Sequence, residues 1–81
     1  MAKAISITIE QFRAARALLD WSRAELAKRA GQHPSTVKRV ETAGSENVSE
    51  ELRAKLKAAL EAAGVEFTNG DAPGVRLKKR R

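Results

Sequence analysis

The chain has no cysteine and a single histidine, His33, in 81 residues. The first absence excludes disulfides, thiolate zinc sites and cysteine nucleophiles together. The second leaves no histidine-built metal cluster and no second imidazole for acid–base work. No apolar run approaches the roughly 20 residues that a membrane-spanning helix needs. The N-terminal stretch also lacks the basic-then-apolar pattern of a secretory signal. Paired catalytic residues and a phosphate-cradling glycine loop are missing too, so the expectation is neither an enzyme nor a cofactor binder. Such a length allows one domain with one modest core and leaves no room for a ligand-sensing module beside it. With 42% apolar residues the chain is expected to fold, as an intracellular, cytoplasmic domain with no membrane partner.

What the sequence has in excess is positive charge, +6 in all, and it is unevenly placed. Residues 1–40 carry a net +5, residues 41–74 a net −4, and residues 75–81 another +5. A basic face opposed to a merely soluble one is the electrostatic pattern of a nucleic-acid binder. The terminal run Lys78-Lys79-Arg80-Arg81 is equally compatible with a solvated tail.

Four amphipathic segments follow one another. Thr8-Ile9-Glu10-Gln11 is a capping box, with Ile7 and Phe12 at the positions of a hydrophobic staple. Phe12, Ala15, Leu18 and Leu19 then recur at helical spacing to about Asp20. Ser22-Arg23-Ala24-Glu25 is a second capping box, opening a helix with Leu26, Ala27 and Ala30 on its apolar face and Gly31 at its end. Pro34 suits the first turn of a third helix, with Val37 and Val40 inward, running to about Thr42. His33 falls at its N-cap, where a hydroxyl or carboxylate is commoner. After the turn-rich stretch 43–47, Ser49-Glu50-Glu51 opens a fourth helix, along which Leu52, Leu56, Ala59, Leu60 and Ala63 form a stripe that Gly64 closes.

The period then changes. Val65, Phe67, Val75 and Leu77 alternate with polar residues on either side of Thr68–Gly74. Pro73 argues against a tight Asn-Gly turn, so the spacing predicts a β-hairpin pairing 65–68 with 75–78 across a wider loop. The fold class expected is therefore mainly α: four helices with a C-terminal hairpin. Residues 1–64 form the helical unit, 65–78 its hairpin extension and 79–81 a basic tail. A bare two-stranded ribbon is marginal in water, so the hairpin must pack on the helices or on another chain.

The two short helices joined through Ala30-Gly31-Gln32, the second starting at a proline, have the spacing of a helix-turn-helix. The stretch Ser22–Glu41, SRAELAKRAGQHPSTVKRVE, resembles the helix-turn-helix of the phage repressor and Cro-like (XRE-type) DNA-binding family. The resemblance rests on Leu26, Ala27, Ala30, Gly31, Pro34, Ser35, Thr36, Val37 and Val40, and extends over about residues 6–63. The chain departs from the family at Gln32, usually aliphatic, and at His33, usually a small hydroxyl residue. Either residue faces DNA here, or the turn is simply more exposed.

With Val37 and Val40 inward, the third helix presents Pro34, Ser35, Lys38, Arg39 and Thr42 outward, where an α-helix can enter the major groove. Arg39 leads the candidate base readers, since a guanidinium bonds guanine O6 and N7 together; His33, Ser35, Lys38 and Thr42 are the others. Arg23 stands where the family often has a phosphate-binding Gln, so the resemblance implies phosphate contact by Arg23, with Arg13 and Gln32 beside it. The resemblance also implies a structural ion pair between Arg16 and Glu41. Trp21, between the first two helices, is expected in the core.

Readers of this kind commonly bind double-stranded DNA as two-fold dimers on half-sites about 34 Å apart. A homodimer is expected, with Val65, Phe67, Val75 and Leu77 in or near its interface and the Leu52/Leu56/Leu60 row as the other candidate surface. The leading functional expectation is a sequence-specific transcription regulator, most simply a repressor on an inverted repeat. The alternative is an antitoxin or adaptor that uses the same scaffold to hold a protein partner.

Overall fold

The computed structural model describes residues 7–43, 48–68 and 72–78. Residues 44–47 of the turn expected at 43–47, the tip of the hairpin and the tail from residue 79 lie outside them, and Ala43 belongs to the third helix. The elements run α1 (Ile9–Leu19), α2 (Arg23–Ala30), α3 (Pro34–Ala43), α4 (Glu50–Ala62), β1 (Val65–Thr68) and β2 (Gly74–Leu77). The fold is mainly helical, as the periodicity requires, with one antiparallel hairpin at its end.

Hydroxyl caps set the starts of three helices. Thr8, Ser22 and Ser49 accept the amides of Gln11, Glu25 and Leu52, three residues on, supplying partners that the first turn of a helix cannot find within itself. The ends are set by left-handed residues. Asp20 (φ 57°) turns the chain out of α1, and Gly31 (φ 71°) turns it out of α2. The Asp20 amide and that of Gly31 then reach back to carbonyls of the last helical turn, which closes each helix in a single residue.

Ile7, Phe12, Ala15, Leu26, Ala27, Val37, Leu56, Leu60 and Val65 are almost completely buried in one core. Ala27 and Val37 lock α2 onto α3, since the small side chain allows close approach and the branched one fills the gap. The leucine row of α4 is intramolecular: Leu56 and Leu60 are core, and Leu52 packs against them. Two apolar expectations are corrected. Leu18, counted into the inward stripe of α1, is 42% exposed; residues 12, 15 and 19 suffice to cover the core, and position 18 falls beyond the edge of that stripe. Trp21 is only half-buried, packed against the core on one side and capped on the other by the Arg29 guanidinium 4.8 Å from its ring centroid.

The hairpin pairs Val65 with Leu77, Glu66 with Arg76, Phe67 with Val75 and Thr68 with Gly74. This is one residue off the expected pairing of 65–68 with 75–78. The reason is the two-residue period of a strand: only this register puts Val65, Phe67, Val75 and Leu77 on one face and the Glu66–Arg76 ion pair on the other. Phe67 meets Phe12 edge to face, 6.2 Å between centroids. Buried Gln11 fastens the loop end of the hairpin. Its amide nitrogen donates to the carbonyls of Thr68 and Gly74, both at 2.9 Å, while its oxygen completes the cap at Thr8.

Candidate nucleic-acid interface

The outward side of α3 follows from its inward one. Val37 and Val40 are buried at 0% and 3%, which leaves Pro34, Ser35, Lys38, Arg39 and Thr42 exposed. Lys38 and Arg39 have no protein partner among the described residues, so both cations are presented to solvent. Ser35 and Thr42 are more committed. The Thr42 hydroxyl donates to the Lys38 carbonyl one turn back (2.9 Å), and the Ser35 hydroxyl lies 2.9 Å from His33 Nδ1.

His33 does occupy the N-cap of α3 and performs it with its ring. Nδ1 accepts the Ser35 amide at 3.1 Å, the bond a serine or aspartate oxygen would otherwise make. Acceptance there requires the lone pair on Nδ1, so the ring proton is assigned to Nε2, the nitrogen left for an outside acceptor. The departure from the hydroxyl cap thus keeps the cap and adds a donor at the mouth of the helix.

Gln32, expected at a phosphate, stands in the turn before α3. It is half-buried and lines a shallow cleft with Ser49, Glu51, Leu52 and Lys55 at the start of α4. Its backbone amide donates to Ala27 (2.8 Å) and its side-chain nitrogen lies 3.4 Å from the Ala30 carbonyl. A polar side chain here returns to the turn's own backbone, where an aliphatic one would have packed.

The Arg16–Glu41 pair forms as the resemblance implied. Arg16 Nε and Nη2 donate to the two carboxylate oxygens at 2.8 and 2.9 Å, and its Nη1 donates to the Trp21 carbonyl at 3.0 Å. One side chain therefore joins α1, the α1–α2 junction and the end of α3. Arg23 enters the same cluster, which sequence reasoning missed: its Nε donates to Glu41 Oε1 at 3.0 Å. The signal available was that Glu41 is the sole acid between residues 26 and 45. The Glu41 side chain is 1% exposed, Arg16 19% and Arg23 40%. Burial alone would push the Glu41 carboxyl up; the hydrogen bonds from Arg16 and then Arg23 outweigh it and hold the group below its ordinary value.

Arg13 is exposed on α1, three residues before Arg16 and so on the same side of that helix. Arg13, Lys38 and Arg39 are exposed, and Arg23 is partly so. Val65, Phe67 and Val75 pack within the chain, with Val65 at 2% exposure. Of the four residues expected at a dimer interface only Leu77, at the open end of the hairpin's apolar face, is largely exposed, at 44%. No His/Cys/Asp/Glu group able to hold a metal occurs among the described residues, and no described helix is long and apolar enough to cross a membrane.

A family model for the helix-turn-helix of Cro/C1 (XRE) type matches residues 12–66, two thirds of the chain. No curated protein matches it.

Proposed function

Because the chain belongs to the helix-turn-helix family of Cro/C1 type, a family of DNA-binding regulators, we propose that it is a repressor that reads an inverted repeat through the major groove as a homodimer. The observation that carries this reading is the division of α3, apolar side locked into the core and Lys38 and Arg39 exposed on the other, without a partner among the described residues. Arg39 reads a guanine edge, His33 Nε2, Ser35 and Lys38 reach neighbouring bases or phosphates, and Thr42 lines the far end of the contact. Arg23 and Arg13 anchor the backbone. Gln32, engaged with the turn, shapes the entry to α3. The second copy supplies the second recognition helix, and exposed Leu77 with the free edges of the hairpin is the surface on which the copies meet.

The test is selection from random duplexes at two salt concentrations. Enrichment of an inverted repeat, with affinity falling steeply as salt rises, is the expected result. Recovery of no preferred sequence, or an affinity indifferent to salt, would overturn it.

A further inference from the structure

Glu41 is an acid buried beside a surface that must meet a polyanion, and Coulomb's law alone makes it a liability there. Its geometry suggests the opposite. Both oxygens are taken by guanidinium groups, and the two arginines are held unequally. Arg16 makes three hydrogen bonds, two of them to Glu41, and is mostly covered; Arg23 makes one, through Nε, and is 40% exposed. A planar guanidinium fixed at Nε has its two terminal nitrogens aimed by that one bond. The terminal nitrogens of Arg23 have no protein partner among the described residues. Resting on the DNA-binding reading above, we infer that Glu41 is a positioning residue: it holds Arg23 in advance in the orientation that grips a backbone phosphate, so that DNA binding does not have to order that side chain.

The inference predicts the sign of an effect. Glu41→Gln removes a negative charge from a DNA-binding face, which by itself tightens binding. It also leaves two cations around a neutral amide. Arg16, with its bond to the Trp21 carbonyl, keeps its place, and Arg23 is the side chain released. Binding is therefore expected to weaken, by roughly two- to tenfold, the ordering cost of one long side chain. Arg23→Lys keeps the charge and leaves the Arg16–Glu41 pair intact, but one ammonium cannot bond the carboxylate through one end of a plane and the phosphate through the other. It is expected to lose affinity close to that of Arg23→Ala, which also reduces the slope of log affinity on log salt by about 0.9.

The experiment measures the full chain and these variants against a duplex enriched from the random pool, by fluorescence anisotropy over a range of KCl, at a temperature where circular dichroism shows each folded. Weaker binding by Glu41→Gln and Arg23→Lys, with no further loss when Glu41→Gln is added to Arg23→Ala, is the expected result. Folded Glu41→Gln that binds as tightly as the parent or more tightly overturns it. So does Arg23→Lys with parental affinity, which also decides the matter if Glu41→Gln fails to fold. An equal loss from Glu41→Gln with and without Arg23 overturns it too, since Glu41 would then act on something else. A parent that binds no duplex in a salt-dependent way removes the DNA reading itself, whereas a binding parent with unresponsive variants removes only the role of Glu41.

Discussion

On the proposed reading, single side chains divide into those that read and those that aim. Arg39 is exposed and has no partner among the described residues, so Arg39→Ala should leave stability nearly unchanged and cost about 1–3 kcal/mol of binding at one base position; binding to duplexes mutated position by position checks this. Glu41 belongs to the aiming group. Its carboxyl lies below its ordinary value of 4.5 in the folded chain, despite burial, because of the Arg16 and Arg23 hydrogen bonds. A depressed folded-state value contributes stability that is present above the unfolded-state value and is lost as pH falls through the folded one. Urea melts between about pH 6 and pH 3 should therefore show the parent losing more stability than Glu41→Gln. Glu41→Ala, which strands Arg16 near the core, should cost roughly 3 kcal/mol at neutral pH in the same melts. The Arg16–Glu41 pair was legible through family resemblance. The Arg23 bond was not, because residues 23 and 41 sit in different helices and only the crossing of α2 and α3 brings them together.

At the level of elements, the caps carry most of the information. Three hydroxyl caps announced three helix starts, and the structure uses each. Helix ends depend on backbone conformation. Gly31 holds φ at 71°, and a methyl group added there would meet nothing within 4 Å. Gly31→Ala should therefore cost only the conformational strain of a left-handed residue, roughly 1–2 kcal/mol, with the fold intact. Asp20 already bears such strain at φ 57°, so Asp20→Gly should raise stability by about 0.5–1 kcal/mol. Thermal melts of the two variants should move in opposite directions. The hairpin was legible as two alternating runs, but its register was not. Sequence gives the alternation, while the face that must be buried, set by Phe12 and the end of α4, selects which residues stand opposite.

For the whole molecule, the hairpin is part of the core rather than an appendage. Val65 is as buried as Leu56 and Leu60 of α4, Phe67 leans on Phe12, and Gln11 grips the loop end. Its removal should unfold the chain, so truncation cannot report on assembly. Single substitutions can. Leu77→Glu, at the exposed margin of the apolar face, should yield a folded monomer by sedimentation if the hairpin joins two copies, and a dimer that survives it would move the interface elsewhere. Val65→Glu should instead abolish folding, since a carboxylate at that depth has no charged partner on the apolar face of the hairpin.

The sequence by itself determined the order of the elements, their caps, the position of the turn glycine and the residues on the outward side of α3. Each of these is written in periods of three to four residues or in adjacent pairs, and needs no distant neighbour. Tertiary structure alone decided the strand register, the exposure of Leu18, the second arginine on Glu41 and the fastening of the hairpin by Gln11. The last two join groups 18 to 63 residues apart. The missing cysteines and the solitary histidine exclude chemistry from sequence alone, and the sequence set His33 at the N-cap, yet that its ring accepts the Ser35 amide is decided by the fold.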